Sequence, residues 1–188
     1  MLPQIYSMAT IVKKKLELLK TELFSADDET VLKALSRIEA AGDDSLIKPL
    51  VEVYARSEEG SIKENISFIL NQLKISKAEQ ELMECVSDPR FSEIRQDILS
   101  FVWNSGFTPV DHIDTICEIA IEGTFEERFE CLTIVESMSP PVPEIPLMES
   151  LIKVKTFLAK KEESTRSEII SSIYESLKAF DKFEGEDE

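Results

Sequence analysis

Apolar residues recur at helical spacing along most of the chain, most clearly between Val31 and Tyr54. The first part of this stretch carries an apolar stripe at i, i+4 and i+7, formed by Val31, Leu35 and Ile38. After a break at residues 42–44, a second stripe follows, formed by Leu46, Leu50, Val53 and Tyr54. Two amphipathic helices cannot bury these faces alone, so the pattern predicts packing against further helices of the same kind.

The first stripe returns along the chain at intervals of 31, 32 and 31 residues. Its predicted equivalents are Ile62/Ile66/Ile69, Ile94/Ile98/Phe101 and Phe125/Phe129/Leu132. A last copy begins near Thr165 and places Tyr174 in the position of Trp103. The second stripe recurs at a similar interval and predicts that Cys85 and Cys117 are small buried residues. The chain is therefore predicted to contain internal helix-pair repeats.

These intervals predict a single helical-repeat domain over residues 1–180, followed by an acidic tail at 181–188 that is expected to fray. The domain is divided into a capping helix at 1–26, repeats at 27–58, 59–89, 90–122 and 123–161, and a half repeat at 162–180. No alternating strand pattern persists, and the Pro-rich residues 139–143 interrupt the helices. The predicted fold class is all-α.

Four S/T-x-x-E sequences coincide with predicted helix starts. In this pattern, the hydroxyl and the carboxylate accept hydrogen bonds from N–H groups that the first helical turn leaves without partners. The four sequences are Ser61…Glu64, Ser76…Glu79, Thr124…Glu127 and Thr165…Glu168. Their agreement with the apolar periodicity supports the predicted boundaries.

The stretch from Val31 to Tyr54, with its turn aspartates and early proline, resembles a unit of a HEAT-like or armadillo-like α-helical repeat protein. With the recurrences at Ile62, Ile94 and Phe125, the resemblance covers residues 27–180. It implies a right-handed α-solenoid, an α-α superhelix of about four to five helix pairs whose second helices line a concave surface for a partner. It implies no catalytic residues. An irregular helical bundle is the alternative fold.

The net charge of the chain limits the classes of partner that it is expected to bind. The chain has 21 basic against 37 acidic residues, a net charge of −16, which opposes binding to nucleic acid or to an anionic membrane. The common nucleotide-binding, zinc-protease and hydrolase motifs do not occur, and we expect no cofactor and no metal. The sequence therefore predicts a non-enzymatic scaffold, adaptor or assembly factor that binds a basic protein or peptide.

Six residues are candidates for partner binding. Glu52, Glu84 and Thr115 occupy equivalent polar positions of successive second helices, with Glu118 one turn further along. A row of carboxylates there would select a basic partner, although any one of them also fits the wet face of an amphipathic helix. Trp103 and Tyr174 are the aromatic candidates, as partner anchors or as packing between repeats.

The alternative function is that of an enzyme or ligand-binding protein with an inter-helix pocket near His112, the single histidine. Asp111 and Asp114 flank it, but acidic residues in a first helical turn are also explained by the helix dipole. A deep pocket that contains both His112 and carboxylate side chains would favour this alternative.

Two further expectations concern the chain's surroundings. An odd number of cysteines, each in an apolar helical pattern, predicts reduced core thiols and a cytoplasmic location. The last helix has no following repeat, and its apolar residues are Ile169, Ile170, Ile173, Leu177 and Phe180. If these residues are exposed, they would form a homodimer contact. If they fold back onto the preceding helices, the repeat array is closed at this end.

Overall fold

The computed structural model describes residues 3–41, 43–58, 60–74, 77–160 and 165–183. These residues form ten α-helices and no strand, which confirms the all-α fold class. The helices are α1 (Pro3–Leu23), α2 (Asp28–Ala41), α3 (Ile47–Arg56), α4 (Ser61–Leu70), α5 (Ala78–Ser87), α6 (Arg95–Asn104), α7 (Ile113–Glu122), α8 (Phe125–Ser137), α9 (Glu144–Leu158) and α10 (Thr165–Phe183). Short 3-10 turns precede α3, α6 and α7.

Contacts divide the chain into two compact units, Met1–Glu81 and Leu82–Glu188, with the boundary inside α5. In the first unit, α2 and α3 each pack against both α1 and α4. The core there includes Leu19 and Leu23 of α1, and the predicted stripe of Val31, Leu35 and Ile38 is buried. The prediction of one domain over residues 1–180 stays a prediction.

The second unit has two layers of helices. In one layer α6 packs against α8 and α8 packs against α10, while in the other α7 packs against α9. Contacts of α7 with α8 and of α9 with α10 join the layers. The core between them contains fully buried Ile98, Ile116 and Ile134. Cys85, Cys117 and Cys131 are also buried, as their apolar settings predict.

Local sequence signals set several helix starts. The Thr124 hydroxyl accepts from the Glu127 N–H and the Glu127 carboxylate accepts from the Thr124 N–H, so the predicted capping box is confirmed. The box predicted at Ser61 is wrong, because Ser61 is already helical and Gly60 is the capping residue. Residue 76 lies outside the described residues. Pro49 falls in the first turn of α3, where proline is tolerated.

Acidic residues that precede helical segments act as caps. The carboxylate of Asp27 accepts from the N–H and the hydroxyl of Thr30, and these hydrogen bonds lower the pKa of Asp27. Before two of the 3-10 turns, the Asp43 carboxylate accepts from the Ser45 N–H and the Asp88 carboxylate accepts from the Arg90 N–H. The short acidic run that begins at Asp27 is thus explained by helix capping.

The fourth copy of the predicted apolar stripe is wrong. Phe125 and Phe129 are more than half exposed, whereas α8 buries the face that carries Arg128, Cys131 and Ile134. Two charged side chains, Glu127 and Arg128, belong to this buried face because their partners lie on other segments. The 31-residue interval, which takes only apolar residues into account, therefore predicts burial of the wrong face of α8.

The apolar face of α10 is folded back. All five of its large apolar residues at positions 169–180 are buried, and α10 packs against α8 and α9. These side chains do not form an exposed dimer contact. The helix also continues to Phe183, so residues 181–183 of the predicted tail are helical, and residues 184–188 lie outside the described residues.

Candidate functional site

An open groove of about 550 Å³ runs along one side of α7 in the second unit. Its lining is mainly polar and comes from four helices and the link before α8. The lining residues are Val86, Ser87, Arg95, Thr115, Glu118, Ile119, Glu122, Gly123, Thr124 and Glu127. We call this the acidic groove. It contains two of the six predicted partner-binding residues.

The carboxylates of the acidic groove fall into two classes. Glu127 is buried, its carboxylate lies 2.9 Å from Arg95 Nε, and it accepts the Thr124 N–H at 2.8 Å. Glu118 and Glu122, one turn apart on α7, are exposed. Lys153 Nζ of α9 lies 3.6 Å from Glu118 Oε2. The lining of the groove itself carries three carboxylates and one guanidinium, while Lys153 and Lys160 line a neighbouring pocket that Glu118 and Glu122 share.

Two arginines hold the end of α7 in place. Arg128 Nε donates to the Ala120 carbonyl at 2.8 Å and Arg128 Nη2 donates to the Gly123 carbonyl at 2.7 Å. Arg166 of α10 donates to the Ile121 carbonyl, and its guanidinium lies 4.7 Å from the centre of the Phe157 ring. Burial lowers the pKa of Arg128, with the nearby Arg166 as a second cause. These bonds satisfy carbonyls that a helix end leaves open, and so they position Glu118 and Glu122.

The other candidates are not among the residues that line the groove. Glu84 is exposed on α5, and Glu52 is half-buried on α3 in the first unit. The predicted row of Glu52, Glu84, Thr115 and Glu118 stays a prediction. Trp103 is partly exposed on α6, and its Nε1 donates to Glu130 Oε2 at 2.5 Å. Tyr174 is half-buried on α10, with Lys178 Nζ 5.1 Å from its ring centre.

His112 ends the 3-10 turn before α7, is half-buried and does not line the acidic groove. Across the described part of the chain, no group of three or more His, Cys, Asp or Glu side chains is arranged to hold a metal ion. The alternative of an inter-helix pocket near His112 stays a prediction.

Three charged residues of the groove, Arg95, Glu122 and Glu127, were not among the sequence candidates. Glu122 follows Glu118 by four residues on the same helix face, so helical spacing alone could have identified it. Arg95 and Glu127 are far apart in sequence and meet only because α6 packs against α8. No local signal indicates that pair.

The three cysteines have the environment of inert thiols. Burial raises the pKa of Cys117 to about 12, against a weaker opposing effect of the Ser150 hydroxyl. Burial, with Cys117 and Glu127 nearby, also raises the pKa of Cys131. Thiolates are the reactive form, so these side chains are not candidate nucleophiles.

We expect the cysteines to react with Ellman's reagent at pH 8 about 100-fold more slowly in the folded protein than in guanidinium chloride, since reaction requires opening. Rapid labelling of all three thiols without denaturant would contradict the buried placement.

The raised pKa values also predict that the free energy of unfolding falls as pH rises above about 9, because the thiols of the unfolded chain ionise first, near the ordinary value of 9.0.

Comparison with protein-family models, with curated proteins and with solved structures finds no match to the chain. Within the described residues, none of the helices combines the length and the apolar character needed to cross a membrane. The function is therefore inferred from the residues of the chain itself.

Proposed function

We propose that the protein is a non-enzymatic interaction module, a scaffold, adaptor or assembly factor, that binds a basic protein segment in the acidic groove. The observation that carries this proposal is the pair of exposed carboxylates, Glu118 and Glu122, on the rim of a groove whose internal carboxylate is already paired with Arg95. A lysine or arginine side chain that enters the groove meets this rim. Ion pairs between exposed charges of two partners raise the rate of association and the selectivity of binding more than they raise the affinity.

The proposed architecture behind this function is a HEAT-like α-solenoid. Its support is the layered contact pattern of the second unit, in which α6, α8 and α10 follow one another in one layer and α7 and α9 in the other. Alternate helices of a stacked array are expected to pack in this order. In this arrangement α7 is a second-layer helix, the type of helix expected to carry the partner-binding residues.

The test measures the binding of fluorescein-labelled peptides by fluorescence anisotropy. One peptide is rich in Lys and Arg, and the other is an acidic peptide of equal length. We expect binding of the basic peptide only, weakening as salt rises from about 50 to about 300 mM, because exposed charges are screened. The double variant Glu118→Gln/Glu122→Gln should bind about three- to tenfold more weakly, the range expected for loss of two exposed ion pairs.

The matched control is Glu126→Gln/Glu136→Gln, which changes net charge equally at two exposed positions of α8 outside the groove. It should bind the basic peptide almost as the unaltered protein does. An equal loss in both double variants would mean that the peptide responds to net charge alone, and the acidic groove would then not be the binding site.

A further inference from the structure

Helix α9 is apolar on two opposite faces. One face is buried and carries Leu147, Ser150, Val154 and Phe157. The opposite face is open to solvent, with Ile145 73%, Met148 44% and Ile152 62% exposed. These three residues stand at i, i+3 and i+7 and form one continuous row, which we call the α9 stripe. Contiguous exposed apolar surface of this kind marks interaction sites.

The charges beside the α9 stripe differ from those of the chain as a whole. Residues 144–160 contain two glutamates and three lysines, in a chain whose net charge is −16. A second copy of the chain that approaches this face meets less electrostatic repulsion than it would at an average part of the surface. The local composition therefore permits self-association here.

The order of these charges makes the surface complementary to itself. By helical geometry, Glu144 and Lys155 flank the stripe on one side, and Glu149 and Lys153 flank it on the other. Three pairs of residues have nearly the same midpoint along the helix axis, within about 2 Å. They are Glu144–Lys155, Glu149–Lys153 and Met148–Ile152. One antiparallel register thus brings opposite charges together on both flanks and apolar side chains together at the centre.

We propose that two copies of this chain associate through the α9 stripe, with α9 antiparallel to its counterpart about a two-fold axis. Each ion pair then occurs twice, as in any interface in which both partners use the same patch. A parallel arrangement would place each glutamate and each lysine against a like charge. Lys153 also lies 3.6 Å from Glu118 of its own chain, so Glu144 and Lys155 carry the more specific pairing.

The interface is small. Helix α9 has 15 residues and is about 22 Å long at 1.5 Å per residue. Contact along one helix face buries less area than a standard stable interface, so a dissociation constant on the order of 10–100 µM is expected. The dimer should accordingly appear only in concentrated solution.

Sedimentation velocity on the full chain, from about 5 to about 300 µM, tests this proposal in the range that a small interface requires. The expected result is a shift from monomer to dimer with rising concentration. Ile152→Glu should weaken association at least about tenfold, since it places two like charges inside the contact. The matched control is Ile11→Glu on α1, because Ile11 is 61% exposed, almost the same as Ile152.

Charge reversal tests the register. Lys155→Glu alone should weaken the dimer, because each changed residue then faces Glu144 of the other copy. The double variant Glu144→Lys/Lys155→Glu should restore it, since every reversed charge again faces its opposite. Circular dichroism confirms that each variant is folded.

Three outcomes would overturn the proposal. They are a monomer at every concentration, an equal loss of association from Ile11→Glu and Ile152→Glu, and no recovery in the charge-reversed double variant. Recovery in the double variant together with a specific loss from Ile152→Glu would support both the surface and its antiparallel register.

Discussion

Replacement of Arg128 by methionine is expected to lower the free energy of unfolding by about 3 kcal/mol, the range for removal of one partner from a buried charged network. The guanidinium donates to the Ala120 and Gly123 carbonyls at the end of α7, and Arg128 is only 6% exposed. Methionine preserves much of the side chain's apolar length but leaves both carbonyls without this donor. The end of α7 should then loosen.

Urea unfolding followed by circular dichroism measures this loss. The matched control is Arg90→Met, because Arg90 is an exposed arginine whose ion pair with Asp88 is local, and such pairs contribute about 0–1 kcal/mol. If both variants lost the same small amount of stability, the bonds from Arg128 to α7 would not matter for the fold. A loss of basic-peptide binding in folded Arg128→Met would additionally link the end of α7 to the acidic groove.

Replacement of Gly123 by alanine is expected to lower the free energy of unfolding by about 2–3 kcal/mol, the cost of forcing extra volume into a packed site. An added Cβ would lie 2.5 Å from Glu127 Oε2 and 2.7 Å from the Ile119 carbonyl oxygen. The Glu127 side chain cannot withdraw freely, because it is held by the Thr124 N–H and by Arg95. The substitution therefore disturbs the end of α7 and the start of α8 together.

Gly106→Ala is the comparison for this substitution. Gly106 has a φ of +77° and nothing within 4 Å of an added Cβ, so its expected cost is only the backbone term of about 1–2 kcal/mol. Differential scanning calorimetry of the two variants separates a steric clash from a conformational preference. If Gly123→Ala were the milder of the two, the close approach of Glu127 to Gly123 would be wrong.

The confirmed parts of the sequence-based prediction rest on local interactions. The Thr124–Glu127 capping box joins residues three positions apart, so its hydrogen bonds depend only on the turn that contains it. The burial of Cys85 and Cys117 follows from their places in apolar helical rows. The all-α class follows from the same periodicity, repeated over most of the chain.

The parts that failed or were missed involve groups distant in sequence. On α8, periodicity favours burial of Phe125 and Phe129, but the structure buries Glu127 and Arg128 because Arg95 and the end of α7 supply their partners. A charged residue is buried only where such a partner is present, and its presence depends on how the helices pack. No apolar pattern contains that information.

For this protein, the sequence by itself determined that the chain is helical, that the Thr124–Glu127 box caps α8, and that the two exposed carboxylates of α7 lie one turn apart. Only the tertiary structure decided which face of α8 and α9 is buried, which buried charges are paired, and that the apolar residues of α10 fold back. The physical reason is range: capping and helical periodicity act within about one or two turns, whereas burial depends on the neighbours that each face meets.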